Sequence, residues 1–153
     1  MTESPAPTPA PGGGAFPPLT PERLALIPRG SLAERMGIEI TEASATRVAA
    51  SMPVEGNTQP YGLLHGGASV VLAETLGSIG SVLHAGAGRI AVGVEVNATH
   101  HRAARGGRVH GVATPLSLGG TMAAWQITIT DDEGRLTCTS RLLCLLRDAA
   151  PGA

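Results

Sequence analysis

The stretch HGGASVVLAETLGSIGSVLHA, residues 65–85, decides the fold of this chain. Its apolar residues recur at the three- and four-residue spacing of an α-helix, and further apolar residues fall between them, so the helix has almost no charged face. A helix of this kind is buried nearly all round. Its four glycines lower helix propensity but let neighbouring backbones approach closely. We therefore predict a long core helix over residues 65–85.

The sequence on either side of this helix has the pattern of β-strands. Residues 31–36 predict a helical turn, and residues 55–64 predict a loop. Six runs predict strands: 37–42, 47–54, 89–101, 108–118, 122–130 and 136–146. Glycine pairs at 106–107 and 119–120 and the turn residues 131–134 predict hairpins between the last four strands. This order predicts an α+β fold in which a curved antiparallel sheet wraps around one long central helix.

The composition argues against several classes of protein. The chain has 153 residues, a net charge of −1 and only three aromatic residues, and its eleven Lys/Arg residues are all arginine. A chain of this length suits a single domain. The balanced charge and the scarcity of aromatic rings argue against nucleic-acid binding. The apolar stretch 66–83 contains Glu74, four glycines and three serines, which argues against a membrane span.

The first residues differ in composition from the rest. Residues 1–19 have the Pro/Gly/Ala bias of a disordered tail, and TPE at 20–22 has the pattern of a helix start, so we expect the folded domain over residues 20–148. The N-terminus lacks the basic and apolar regions of a secretory signal. Cys138 and Cys144, about 20 Å apart if they share a strand, are too distant for a disulfide. These observations favour a cytoplasmic protein with reduced thiols.

Glu74 is the only charged residue between His65 and Arg89, and it lies in the middle of the predicted helix. Burial of an unpaired carboxylate is costly or forces its protonation. A carboxylate at such a position is therefore paired, solvated by a cleft, or used in chemistry. A structural role would pair Glu74 with Arg102 or Arg141, whereas a catalytic role would use it as an acid or base.

Gly66 and Gly67 form a second candidate feature at the helix start. The first amides of a helix lack intrahelical partners, and two glycines leave them uncovered, so an oxyanion or a polarised carbonyl could bind there. The alternative is a plain glycine-rich helix start. Gly66 and Glu74 are about 12 Å apart on one helix, so one carbonyl group cannot contact both. If both act on one substrate, they come from different subunits, which predicts a symmetric dimer with antiparallel helices.

Other kinds of site find little support in the sequence. His100 and His101 are adjacent on a predicted strand, so their side chains point to opposite faces, and we expect no metal site. Residues 86–91 lack the third glycine of a dinucleotide-binding motif and precede a strand. The nucleophile motif G-x-S-x-G is absent. His65 could act as a catalytic base or form a hydrogen bond at the helix start.

Four segments together resemble the hotdog-fold acyl-CoA thioesterases, in the branch that includes 1,4-dihydroxy-2-naphthoyl-CoA and 4-hydroxybenzoyl-CoA thioesterases. The segments are QPYGLLHGGASVVLAETLGSIGS (59–81), GVEVNATHHR (93–102), GRVHGVATPLSLG (107–119) and DDEGRLTCTSRL (131–142). They occur in the order and spacing of the family. The resemblance implies a hotdog fold, in which a curved antiparallel sheet wraps around one long helix.

The resemblance also implies roles for five residues. Glu74 matches the catalytic carboxylate, which attacks the thioester carbonyl or activates a water molecule. Gly66 matches the residue whose backbone N–H polarises that carbonyl. Gln59 and His65 match side chains that orient the thioester, and Ser78 matches the position that holds the hydrolytic water or contacts the acyl group. In the family, the first three positions of one chain, Gln59, His65 and Gly66, form a site with Glu74 and Ser78 of its neighbour.

Binding of CoA is a further implication of the resemblance. His100 and Arg102 match contact positions at the end of a strand, and Gly120 and Thr121 lie in a turn that matches a loop on the nucleotide side. The family commonly forms dimers or tetramers built from two dimers. We therefore expect an acyl-CoA thioesterase with an aromatic acyl group favoured and with no metal or redox cofactor. A non-catalytic acyl-CoA-binding protein and an acyl hydratase or dehydratase, both of the same fold, stay open as alternatives.

Overall fold

One six-stranded antiparallel sheet and two helices make up residues 27–148, the part of the chain that the computed structural model describes. The predicted tail at 1–19 and the predicted helix start at 20–22 lie outside these residues. The helices are α1 (Leu32–Arg35) and α2 (Gly66–Ala85). The strands are β1 (Glu39–Ala43), β2 (Val48–Pro53), β3 (Arg89–His100), β4 (Arg108–Leu118), β5 (Met122–Asp131) and β6 (Leu136–Asp148). Each predicted strand and helix that falls within residues 27–148 is present, with its ends shifted by a few residues.

The strands lie in the order β1-β2-β4-β5-β6-β3, and each neighbouring pair is antiparallel. The turns at 119–120 and 131–134 join their strands as the predicted hairpins. The predicted hairpin at 106–107 is wrong, because β3 pairs with β6 rather than with β4. The segment between β3 and β4 leaves the sheet instead, and its buried residue Ala104 accepts a hydrogen bond from the N–H of Leu64 at 2.8 Å. Strand β3 is therefore an edge strand.

The helix α2 lies unusually close to the sheet because glycines face large side chains across the interface. A Cβ atom added at Gly80 would lie 2.5 Å from the ring of Trp125, and one added at Gly77 would lie 2.5 Å from Leu142 Cδ2. Trp125 is fully buried, and its indole N–H donates a hydrogen bond of 2.8 Å to the hydroxyl of Ser81 on α2. The glycines predicted to allow close packing therefore do so.

The prediction that α2 is buried nearly all round is wrong for a single chain. Glu74 is exposed, and Val82 and Leu83 are 43% and 37% exposed. The reason is geometric, because one sheet covers only one side of the helix. By length and mean hydropathy α2 could cross a membrane, but half of this stretch is buried inside the protein, as in a core helix. The outer side of α2 is thus available to a further layer.

Substitution of Gly80 by alanine tests whether close approach sets the packing of α2. We expect Gly80→Ala to lower the free energy of unfolding by about 1–3 kcal/mol, because the added methyl group overlaps the ring of Trp125 and this outweighs the gain in helix propensity. Trp125 is the single tryptophan and is buried, so urea unfolding followed by its fluorescence makes the measurement. Gly106→Ala is the matched control, because Gly106 faces open space and has no positive φ. An unchanged or raised unfolding midpoint for Gly80→Ala would contradict tight packing.

Candidate active site

His65 is the N-cap residue of α2, and it binds the N–H of Gly67 but not that of Gly66. Its ring Nδ1 accepts a hydrogen bond from the N–H of Gly67 at 2.9 Å. Because Nδ1 is the acceptor, the proton of the neutral ring is assigned to Nε2. Nδ1 is therefore unavailable as a base, and the hydrogen-bonding role of His65 at the helix start is present. The N–H of Gly66 has no hydrogen-bond partner among residues 27–148, so it can bind an oxyanion.

The loop that carries Gln59 is held by Asn57, a residue that sequence reasoning missed. The side-chain amide of Asn57 donates to the carbonyl oxygens of Met36 and Pro53, both at 2.9 Å. Its own carbonyl oxygen accepts a hydrogen bond from the N–H of His65 at 2.8 Å. Asn57 therefore joins the end of β2, the loop and the start of α2. Asparagine is common in turns. The three residues that Asn57 contacts are not regularly spaced along the chain, so no sequence pattern indicates its role.

A cavity of about 360 Å³ opens beside the start of α2 and brings four predicted residues together. Gln59, Gly66, His100 and Arg102 line it, with Leu63, Leu64 and Ser69 among their neighbours. The ring of His100 packs directly on Gly66, since a Cβ atom added at Gly66 would lie 2.9 Å from His100 Nε2. Glycine at 66 therefore leaves room for the ring of His100 beside the open amide. His100 thus lies at the helix start as well as at the end of β3.

Glu74 and Ser78 do not reach this cavity. They lie two and three turns further along α2, about 12 Å and 18 Å from Gly66. The carboxylate of Glu74 is exposed and lies against the backbone of Gly93 on β3. The proposed structural pairing with Arg102 or Arg141 is not present, and none of residues 27–148 forms an ion pair or hydrogen bond with this carboxylate. Within one chain, the expected site is therefore divided between two places on α2.

The four residues expected to bind CoA are also divided. His100 and Arg102 lie at the N-terminal end of α2, whereas Gly120 and Thr121 lie in the β4–β5 turn at its C-terminal end. The helix has 20 residues, so its ends are about 30 Å apart. The expectation that these four residues bind CoA stays a prediction, and within a single chain the two pairs lie at opposite ends of α2. Sequence spacing could not reveal this separation, because the pairing of β4 with β5 in the sheet determines where the turn lies.

Two further residues that sequence reasoning missed hold the β4–β5 turn. His84, in the last turn of α2, places its Nε2 3.0 Å from the carbonyl oxygen of Gly119. Arg89 donates from Nη2 to the carbonyl oxygen of Gly120 at 2.8 Å and forms an ion pair with Asp148 at 3.3 Å. The turn is therefore tied to the C-terminal end of α2 and to the start of β3.

A turn with three acidic residues, 131–133, lies beside Arg102, but each of its carboxylates forms an ion pair with another side chain. Burial alone would raise the pKa of Asp131, but hydrogen bonds from the backbone and guanidinium of Arg135 hold this pKa below its ordinary value. Hydrogen bonds from His110 and from the N–H of Arg108 lower the pKa of Asp132 in the same way. Arg102 itself has no ion pair among residues 27–148, so it is free to bind an anionic ligand.

A long helix packed against a six-stranded antiparallel sheet is the hotdog architecture, and an open amide at the start of that helix suits acyl chemistry. Comparison with known proteins agrees with both observations. Residues 61–138 match the sequence model of the thioesterase superfamily. The chain belongs to this superfamily, and it is a thioester hydrolase with the hotdog fold.

Individual relatives are similar over most of their length. The proofreading thioesterase EntH of Cronobacter turicensis is 49% identical over 125 residues, which cover 81% of this chain and 91% of that protein. The 1,4-dihydroxy-2-naphthoyl-CoA hydrolase of Escherichia coli is 46% identical over 125 residues, which cover 81% of this chain and 92% of that protein. The crystal structure of a thioesterase from Haemophilus influenzae has a TM-score of 0.79 at 40% identity, covering 87% of this chain and 94% of that one.

The lowered pKa values of Asp131 and Asp132 predict a loss of stability in acid. A carboxyl group with a lowered pKa in the folded state stabilises the fold above its unfolded-state value, 3.8, and loses this contribution as the pH falls through the folded-state pKa. We expect the urea midpoint to begin to fall below about pH 5 and to keep falling as the pH drops below 3.8, and to fall less in Asp132→Asn. Glu55→Gln, at an exposed carboxyl group, is the control. An Asp132→Asn profile parallel to that of the wild type would contradict the prediction.

Proposed function

We propose that this protein hydrolyses acyl-CoA thioesters, with an aromatic acyl group favoured, to a free acid and CoA. The observation that carries the proposal is the open N–H of Gly66, at the start of α2 and beside Gln59 in a cavity. A fixed amide at the positive end of a helix stabilises the oxyanion that forms when a thioester carbonyl is attacked. Leu63 and Leu64 supply an apolar wall, and the name of the Escherichia coli relative supports an aromatic acyl group.

In this proposal, one chain polarises the thioester. The carbonyl oxygen binds the N–H of Gly66, and the side chains of Gln59 and His65 orient the group. His65 is suited to donation rather than to base catalysis, because its Nδ1 is already occupied by the N–H of Gly67. This half of the site is fixed by the N-cap and by the hydrogen bonds of Asn57, so it is formed before substrate binds.

The second chain supplies the carboxylate. Glu74 either attacks the carbonyl carbon to form an anhydride, which water then hydrolyses, or removes a proton from the water that attacks. In both routes the C–S bond breaks and CoA leaves as the thiol, while water supplies the hydroxyl group of the acid and the proton of the thiol. Ser78, one turn after Glu74, would hold the water or contact the acyl group. Water is the only co-reactant, so the proposal includes no metal or redox cofactor.

A symmetric dimer that brings the two halves together is supported by the exposed edge of the sheet. Strand β3 has twelve residues and pairs with none of residues 27–148 along its outer edge, and Ile90, Val92 and Val94 on it are 43%, 47% and 55% exposed. An apolar edge strand of this length invites pairing with another chain. Antiparallel packing of two copies of α2 would bring Gly66 of one chain close to Glu74 of the other.

The same antiparallel arrangement accounts for the divided CoA residues. It would place the C-terminal end of one α2, with the turn of Gly120 and Thr121, on the side of the other chain where His100 and Arg102 lie. Arg102 has no ion pair among residues 27–148 and is suited to a phosphate of CoA. A tetramer of two such dimers is compatible with this proposal.

We also propose a cytoplasmic location. Cys138 and Cys144 are buried free thiols. Burial raises the pKa of the Cys138 thiol, which keeps it in the unreactive protonated form. Free cysteines of this kind suit a reducing compartment.

Replacement of Glu74 tests the proposed reaction. We expect Glu74→Gln to lower kcat by several decades, on the order of 10³-fold or more, because the amide can neither attack the carbonyl nor accept a proton from water. The assay measures thiol release from benzoyl-CoA, a polycyclic aroyl-CoA, acetyl-CoA and decanoyl-CoA. Glu55→Gln, at an exposed loop carboxylate, should retain full turnover.

Three outcomes would contradict the proposal. Turnover of Glu74→Gln equal to that of the wild type would exclude Glu74 from the reaction. Saturable binding of acyl-CoA without thiol release would favour a non-catalytic binding protein. Hydration of an enoyl-CoA in preference to thiol release would favour a hydratase of the same fold.

Mixing two defective variants tests whether each site is shared between chains. Gln59→Ala and Glu74→Gln each damage one half of the proposed site, so each homodimer has two defective sites. After unfolding and refolding as an equal mixture, half of the dimers are hybrids with one intact site, and the activity should rise to about a quarter of the wild-type value. Gln59→Ala mixed with itself is the control. No recovery in verified hybrid dimers would show that both residues act within one chain.

A further inference from the structure

Gly93 on β3 lies directly against the carboxylate of Glu74. A Cβ atom added at Gly93 would lie 3.0 Å from Glu74 Oε1 and 3.8 Å from its Cδ. Since none of residues 27–148 holds this carboxylate by a hydrogen bond or an ion pair, no polar partner within the described chain sets its position. The bare backbone of Gly93 is the surface against which the carboxylate rests.

The lack of room for a side chain, and not the backbone conformation, favours glycine at position 93. Gly93 does not have a positive φ, so alanine can adopt its backbone conformation. The glycines of α2 differ, since Gly77 and Gly80 face the core side chains of Leu142 and Trp125. At Gly93 the nearest atom is Glu74 Oε1, and Leu142 Cδ1 follows at 3.7 Å, an ordinary van der Waals distance. A methyl group at 93 therefore displaces the carboxylate before it disturbs the core.

The strand is irregular at this point. The pairing of β3 with β6 passes from Gly93 opposite Cys144 to Glu95 opposite Leu143, so Val94 is an additional residue. Bulges of this kind bend a strand and are common next to active sites, where they redirect side chains. Gly93, directly before the bulge, is the one position here without a side chain, and the carboxylate of Glu74 lies against it.

We propose that Gly93 is a positioning residue, which sets the location of the Glu74 carboxylate relative to a thioester held at Gly66 of the other chain. The inference rests on the proposed role of Glu74 in the reaction. A nucleophile or base acts only within a narrow range of distance, and a displacement of 1 Å can cost roughly 10²-fold in rate. Relief of the 3.0 Å contact requires a shift of a few tenths of an ångström. Gly93→Ala therefore lowers kcat by about tenfold, and Gly93→Val lowers it further.

The test separates placement of the carboxylate from binding and from folding. Thiol release from benzoyl-CoA gives kcat and KM for the wild type, Gly93→Ala and Gly93→Val. We expect kcat to fall in the order of side-chain size while KM changes by less than about threefold, because other residues hold CoA. Gly106→Ala is the matched control, since its methyl group meets open space, and it should retain wild-type kcat. Fluorescence of Trp125 in urea and gel filtration check stability and assembly.

A double variant provides the decisive comparison. If Gly93 acts through Glu74, then Gly93→Ala should cause no further loss when it is added to Glu74→Gln, which has no carboxylate to misplace. An equal loss in both backgrounds would overturn the inference, as would an unchanged kcat, a change confined to KM, or a loss that follows dissociation or unfolding. Failure of the proposed function is distinct, because the wild type would then release no thiol or Glu74→Gln would retain full turnover.

Discussion

Close contact between α2 and the sheet is the constraint on which the rest of the structure depends. Gly77 and Gly80 bring the helix backbone against Leu142 and Trp125, and the indole hydrogen bond to Ser81 fixes both the height and the rotation of the helix. Small residues on the helix and large ones on the sheet replace the aromatic core that the composition lacks. The rotation decides which face of α2 is buried, and Glu74 is consequently exposed, beside Gly93 on the edge strand β3.

The same helix then determines how the site is divided. Its first turn supplies an open amide at Gly66, capped by His65 and held by Asn57 through the preceding loop. Its middle supplies Glu74, about 12 Å away, against the glycine of a bulged edge strand. A straight helix cannot bring these two positions to one carbonyl group. If Gly66 and Glu74 act on one substrate, as we propose, two antiparallel copies of the helix must complete each other's sites.

Much of the fold follows from patterns in the sequence. The spacing of apolar residues predicts α2, and the alternating runs predict the strands. The hairpin predicted at 106–107 is wrong, because turn residues indicate where a chain reverses but not which strand it meets. Burial of Ala104 against the loop before α2 decides that connection, and it depends on contacts distant in sequence. The same limit applies to Asn57, whose partners include Met36.

The site was predicted in part. The structure brings Gln59, Gly66, His100 and Arg102 to one cavity, and their roles rest on the resemblance to known thioesterases rather than on geometry alone. The proposed role of Gly93 could not be predicted, because a glycine on a strand gives no sequence signal until its neighbour in the fold is known. The exposure of Glu74 was missed for a related reason, since helical periodicity indicates an apolar surface but not how many layers cover it.

A crystal structure with a non-hydrolysable analogue of benzoyl-CoA, in which a methylene group joins the benzoyl carbonyl to the sulfur, would test the shared site most directly. We predict that the carbonyl oxygen of the analogue lies about 2.7–3.1 Å from the N–H nitrogen of Gly66 in one chain, with the carboxylate of Glu74 from the other chain facing the carbonyl carbon. A carbonyl bound away from Gly66, or a site completed by Glu74 of the same chain, would contradict it.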